Sequence, residues 1–413
     1  MSGWFRLAGA AIALSSALVQ PSPTGTLRRS HLHGFLPAQQ SEEDKRLKIW
    51  LDLAERHRPG TRDADTRMLA SWSRDDLNLV WRDFTSVRAR DLKDGTLNRL
   101  LVAAALLHTD VAMSLPPVRR AAVTGGPNQP GAAVVVQAGE QIAHEAALHW
   151  AFARRLLDLI KPDPKQDPIV RLWYRAVAAR QLNVAEYSDG SSQLERAREL
   201  FPDDAYVLFE SGCLYESVAV LASQAALSPP AGLSRTRTGT LVPREPTQTE
   251  HAFLRMAEMY LGEALRLDPS LTEARVRLGR VLGIEGRHRE AAEALERART
   301  EARDVIVSYY ANLFLGCEYL ATGRPVQAQE CYDHAAWLFP LAQSPLLALA
   351  QLAEQRGDRA AATATIGRVL RLPVDEARRQ DPWWDYENGP HDTTGRLQEL
   401  YHEARMAAAG EAR

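Results

Sequence analysis

Apolar side chains recur along most of this chain at the spacing of one face of an α-helix. Leu47, Trp50, Leu51 and Ala54 fall at i, i+3, i+4 and i+7 behind Ser41-Glu42-Glu43, which supply a capped start. Residues 97–111 and 140–160 predict two long helices, with the loop-like stretch "PPVRRAAVTGGPNQPGA" between them. Farther on, Pro168 to Leu182 predicts another helix, and Leu194, Ala197 and Pro202 mark its partner. The only β-like stretch, Ala132 to Val136, is too isolated to build a sheet. The pattern predicts an all-α protein.

From residue 205 onward the pattern repeats. Leu315 to Pro340, "LGCEYLATGRPVQAQECYDHAAWLFP", carries a Leu-Gly pair, then Tyr319, Ala328, Tyr332, Ala335 and Pro340. Ala257, Leu261, Ala264 and Pro269 share the second half of that pattern. A step of 34 residues leads to Ala291, Leu295 and Ala298, preceded by Leu278-Gly279 and Leu282. A step of 37 leads to Ala328, Tyr332 and Ala335, and another of 34 to Ala362, Ile366 and Val369, with Leu349-Ala350 in place of Leu-Gly. Gly323 and Gly357 stand in the turns between helices. The physical logic is close packing: Ala where helices approach, Gly where one ends, Pro where the second closes.

This set resembles the tetratricopeptide repeat, a helix pair of 34 residues. The resemblance implies a right-handed superhelical solenoid of antiparallel helix pairs, in which stacking buries faces that no single pair can bury. An earlier repeat, with Gly212 and Tyr215, is interrupted by 33 inserted residues, whose "SPPAGLSRTRTGTLVPREPTQTE" reads as a flexible loop. The expected organisation is an apolar N-terminal segment at 1–25 and a helical region at 41–165 with a loop near 115–133. The array follows at 166–373 with its insert near 225–250, and then an aromatic segment and capping helix at 374–413.

Composition narrows the functional classes. The 413 residues are 45% apolar and 25% charged, as in soluble globular proteins. A net charge of -2 gives no general pull toward nucleic acid or anionic lipid, and no nucleic-acid partner is expected. Lysine is scarce beside arginine, which fits a GC-rich bacterial genome. After Arg6, the uncharged run Leu7 to Val19 is too short to span a bilayer and suits the core of a secretory signal, with small residues at Ser15 and Ala17 for cleavage. A periplasmic or secreted location follows as an expectation, a cytoplasmic one if the segment is no signal, with no transmembrane span in the mature chain. Cys213, Cys317 and Cys331 make no disulfide framework and read as small buried hydrophobes.

One stretch suggests chemistry. "HEAALHW", His144 to Trp150, stands one residue from the zinc-protease signature. That signature sets two histidines at i and i+4, about 40° apart on a helix; the i and i+5 spacing here sets them roughly 140° apart, so they do not share a metal. Asp203-Asp204 reads as a helix start. No P-loop, nucleotide-binding glycine pattern, nucleophile elbow or Cys-pair zinc motif occurs. The expectation is therefore a non-enzyme with no cofactor and no metal, a scaffold or adaptor of the bacterial cell envelope that binds a protein or peptide. A hydrolase on a helical repeat frame and a peptidoglycan- or glycan-binding envelope protein are the alternatives.

By the resemblance, first helices line the groove. The expected stripe is Tyr206, Phe209 and Cys213, then Val276 and Arg280, then Tyr310, Leu313 and Cys317, then Leu347, Gln351 and Glu354. Its aromatic and apolar character suits a peptide or helix held by apolar side chains. "DPWWDYENGP" places Trp383, Trp384 and Tyr386 in a Pro- and Gly-containing segment, and resembles an element near the C-terminus of some exported bacterial repeat proteins. Covering the end of the last repeat, ahead of a capping helix around Arg396 to Met406, is the first expectation for these rings. Recognition of a ligand is the second.

Overall fold

A computed structural model describes residues 94–115, 146–147, 149–151, 153–183, 187–225, 233–235, 241–243, 247–374, 380–386 and 389–409. The signal-like segment, the helix predicted around Trp50, the strand-like Ala132 to Val136, and His144 lie outside them. Contacts divide the chain into two compact units, one holding Ala178–Thr393, the other holding the described residues up to Val177 together with those from Thr394.

The first unit is an all-α solenoid of antiparallel helix pairs of the tetratricopeptide type. Helices α1 (Asp94–Ser114) and the start of α2 (Pro168–Asn183) belong to the other unit. The array continues with α3 (Tyr187–Leu200), α4 (Ala205–Ala225), α5 (Gln248–Leu267), α6 (Thr272–Ile284), α7 (His288–Glu301), α8 (Val305–Ala321), α9 (Pro325–Leu338), α10 (Ser344–Gln355) and α11 (Arg359–Val369). The pairs are α4 with α5, α6 with α7, α8 with α9, and α10 with α11, and each pair packs on the next.

The sequence pattern accounts for this packing. Ala257, Leu261 and Ala264, then Ala291, Leu295 and Ala298, then Ala328, Tyr332 and Ala335 are completely buried. A Cβ at Gly212, Gly279 or Gly316 would lie 2.5, 2.5 or 2.3 Å from the side chain of Leu261, Leu295 or Tyr332, so each glycine lets its helix touch its partner. Gly323 and Gly357 have positive φ, as does Gly286, a third turn of the same kind. The next amide in each case reaches back to the helix, Arg324 N to Tyr319 O at 2.7 Å for example, which ends the helix in a Schellman turn. Asp204 accepts from the amides of Tyr206 and Val207, and Asp304 from those of Ile306 and Val307, so both cap first helices.

Two features depart from the sequence reading. Within the insert, β1 (Leu233–Arg235) pairs antiparallel with β2 (Leu241–Pro243), Ser234 opposite Val242. Strands this short leave no periodic signal. The end of the last repeat is also uncovered: Ile366, Leu370 and Val374 are 40%, 81% and 92% exposed, so the aromatic segment does not lie over it.

In the second unit Leu101 to Leu106 of α1 are buried, as are Leu156, Leu157 and Trp173. Trp173 Nε1 donates to Thr109 Oγ1 at 2.7 Å, and Tyr401 of the C-terminal helix (Thr393–Ala409) donates to Asp110. No helix among the described residues is long and apolar enough to cross a membrane.

Candidate functional site

The stripe glycines supply a common register for the first helices. Six residues before each glycine stand Tyr206, Glu273 and Tyr310; two before, Glu210, Arg277 and Phe314; one after, Cys213, Arg280 and Cys317. This i, i+4, i+7 series lies on one helix face. Against that face lies the stretch from Asp381 to His391, whose described residues include one helical turn, α12 (Trp383–Tyr386).

The segment passes back along the array, from α10 and α8 toward α6 and α4. Asp381 accepts from Tyr309 Oη at 2.6 Å and from the amide and hydroxyl of Ser344, at 2.9 and 2.8 Å. Ser344 opens α10, so the carboxylate also meets the positive end of a helix. Tyr310 Oη donates to Pro382 O at 2.7 Å. Trp383 and Tyr386 meet Phe314 edge-on, with ring centroids 5.7 and 5.0 Å away. Arg280 lies over both rings, 5.1 Å from Trp383 and 4.6 Å from Tyr386.

A buried charge cluster holds the middle of the segment. Arg277, about 1% exposed, donates to Glu216 at 3.0 Å, to Glu273 at 3.1 Å, and to the carbonyl oxygens of Tyr386 and Gly389. Arg280 donates to the other oxygen of Glu216 at 3.0 Å, which also accepts from Tyr386 Oη at 2.9 Å. Two guanidinium groups thus face two carboxylates, and the cluster nearly balances. Burial, then the charge of Glu216, raises the pKa of Tyr386 well above the usual value, which keeps it a donor. Burial and the charge of Asp381 do the same for Tyr309. Gly389 has φ +89°, and a Cβ there would lie 2.9 Å from Cβ of Leu182, so a side chain is excluded twice over.

His391 closes the far end, with Nδ1 2.7 Å from Glu273 and Nε2 3.5 Å from Asp304. Burial opposes its protonation, but the hydrogen bond to Glu273 and the charges of Glu273, Asp304 and Asp392 outweigh that and raise its pKa. A pKa raised on folding contributes stability that is complete below about pH 6.5 and is lost as pH rises through the folded value. The melting-temperature gap between wild type and His391→Gln is therefore expected to be widest near about pH 6 and to close toward about pH 9. A gap independent of pH would mean that His391 contributes only packing.

The sequence-selected residues separate on this geometry. Arg280, Tyr310 and Trp383 meet in the site, and the Trp384 amide bonds Asp381 O within the turn. Phe209, Val276 and Leu313, one residue before the contacting position, are buried. Tyr206, Leu347 and Gln351 are half-buried and Glu354 is exposed. Arg277, Phe314, Glu216, Tyr309 and Ser344 were not in the expected stripe. The spacing Tyr310, Phe314, Cys317 carries the signal for Phe314, but i+3 and i+4 share a helix face, and packing decides between them. The expectation that the aromatic segment covers the end of the array is corrected here, because its anchors are the first helices.

Of the histidines in the zinc-protease look-alike, His149 is among the described residues and His144 lies outside them. His149 meets His108, Nδ1 to Nδ1 at 2.7 Å, so one N–H is shared between them. Among the described residues no group of three or more His, Cys, Asp or Glu is placed to hold a metal. The three cysteines are buried and unbridged, and burial pushes the thiols of Cys317 and Cys331 up to about 12 and about 11.

These features define a helical-repeat array whose first-helix face holds a segment of its own chain. No protein-family model matches the sequence, and no curated protein matches it. Among solved structures it is similar to a MamA crystal structure, at 16% identity and a TM-score of 0.35, over 47% of this chain and 92% of that one. MamA 41-end from Desulfovibrio magneticus RS-1 matches at 18% and 0.37, over 51% of this chain and 97% of that one.

Proposed function

We propose that this protein is a non-catalytic interaction scaffold whose first-helix face receives a short segment of a partner protein. The observation that supports the reading is the seating of Asp381 to His391 against α4, α6, α8 and α10, with bonds to backbone carbonyls as well as side chains. Bonds to carbonyls hold a backbone of any sequence, while contacts to side chains select among sequences.

Panning a displayed peptide library against the full chain tests this. Selected peptides should cross-link to a photoreactive residue placed at Tyr206 or Gln351, the half-buried ends of the stripe. Selection of nothing above background, or cross-links confined to other helices, would remove the groove from the function. Placement in a bacterial envelope belongs to the same proposal and rests on the character of residues 1–25. A phosphatase reporter that is active only after export, fused behind that segment, should be active.

A further inference from the structure

We propose that the segment from Asp381 to His391 is a displaceable ligand held in cis. The external partner then presents the same chemistry: a carboxylate, a Trp two residues later and a Tyr three residues after that, with the two rings on one helical turn. The inference rests on the scaffold reading and adds the identity and regulation of the groove's ligand.

Three observations carry it. The segment is not needed to complete the solenoid, because the helix pairs pack directly on one another while the exposed end at Ile366 and Leu370 is left bare. The interior between paired helices is apolar, as at Ala291, Leu295 and Ala298, whereas the face beneath the segment mixes the rings of Tyr309, Tyr310 and Phe314 with the charges of Arg277, Arg280, Glu216 and Glu273. An apolar face stripped of its cover loses its driving force, but charged groups returned to water are well solvated and remain paired with one another. Opening the groove thus exposes three rings, Tyr309, Tyr310 and Phe314, but leaves its charges solvated and paired, so the open state costs less than uncovering an all-apolar face would.

The third observation is the division of labour within the contacts. Pro382, Tyr386 and Gly389 are held through carbonyl oxygens, which any sequence offers. Selectivity lies at Asp381, in a receptor of the Tyr309 hydroxyl and the Ser344 amide and hydroxyl, and at the two rings under Arg280. A competing segment needs those three anchors and little else. While the cis copy is bound, the apparent affinity for the competitor is reduced by the fraction of chains with an open groove.

The probe is a heavy-isotope peptide with the sequence of residues 380–392, titrated into the full chain. Asp381→Ala/Trp383→Ala/Tyr386→Ala, which removes the cis anchors, is expected to bind it at least about ten-fold more tightly than wild type. In wild type, saturating peptide should raise hydrogen exchange at residues 381–386, a readout that needs no variant to fold. A peptide lacking the three anchors should do neither. Equal affinity for both chains, or no rise in exchange at saturation, would make the segment a fixed part of the fold and overturn the inference. In that case unrelated peptides selected and cross-linked at the groove would leave the scaffold reading standing. If neither chain accepts any peptide, both readings fall.

Discussion

Replacing Gly316 by Ala is expected to cost about 3 kcal/mol, near the upper end for forcing one methyl into a packed core. In a unit of this size that lowers the melting temperature by roughly 6–12 °C. The added Cβ would sit 2.3–2.7 Å from three atoms of the Tyr332 ring. That ring is completely buried, and its hydroxyl lies 3.5 Å from the sulfur of Cys317, so it has no room to swing aside. Either α8 moves away from α9 or the ring leaves its well. The matched control is Gly262→Ala on α5, where nothing lies within 4 Å of the new methyl. In that open position the same substitution should stabilise by about 0.5–1 kcal/mol through helix propensity. Thermal melts followed by circular dichroism distinguish the two, and changes of the same sign would refute the close-approach argument.

The second large effect belongs to Arg277→Met. Methionine keeps most of the side-chain volume but removes donors that serve Glu216, Glu273 and two carbonyl oxygens. Breaking one side of a buried ion-pair network costs about 3–5 kcal/mol, because the remaining charge stays buried without its full complement. Glu216 keeps Arg280, whereas Glu273 is left with His391. The closed arrangement should lose that much stability, seen as a lower melting temperature and as faster hydrogen exchange at 381–386. Arg277→Lys should recover little, since one ammonium cannot match a planar fork reaching four acceptors. Full recovery by lysine would mean that charge alone, not geometry, holds the segment.

Local chemistry made much of the array legible. The recurrence of Ala257, Ala291 and Ala328 with their partners reports where helices touch, and Gly323 and Gly357 report where they turn. These residue types answer constraints within one helix pair, so their spacing survives in the linear order. The stripe was only half legible: Tyr310 and Arg280 stood at the expected places, while Arg277 and Phe314 fell one position from Val276 and Leu313. A helical period cannot choose between i+3 and i+4 on one face; the way each first helix leans on its partner makes that choice.

By itself, then, the sequence determined an all-α helical-repeat protein and the burial of its cysteines, because each follows from contacts between near neighbours in the chain. Only the tertiary structure decided what the Trp-rich segment does. Glu216 and Tyr386, which share a hydrogen bond, are 170 positions apart, and Arg277 reaches Gly389 across 112. Nothing in the spacing of either partner encodes the other. Their meeting depends on how the stacked pairs present one face, and that face accepts the chain's own segment because its charges balance and its donors meet the segment's backbone.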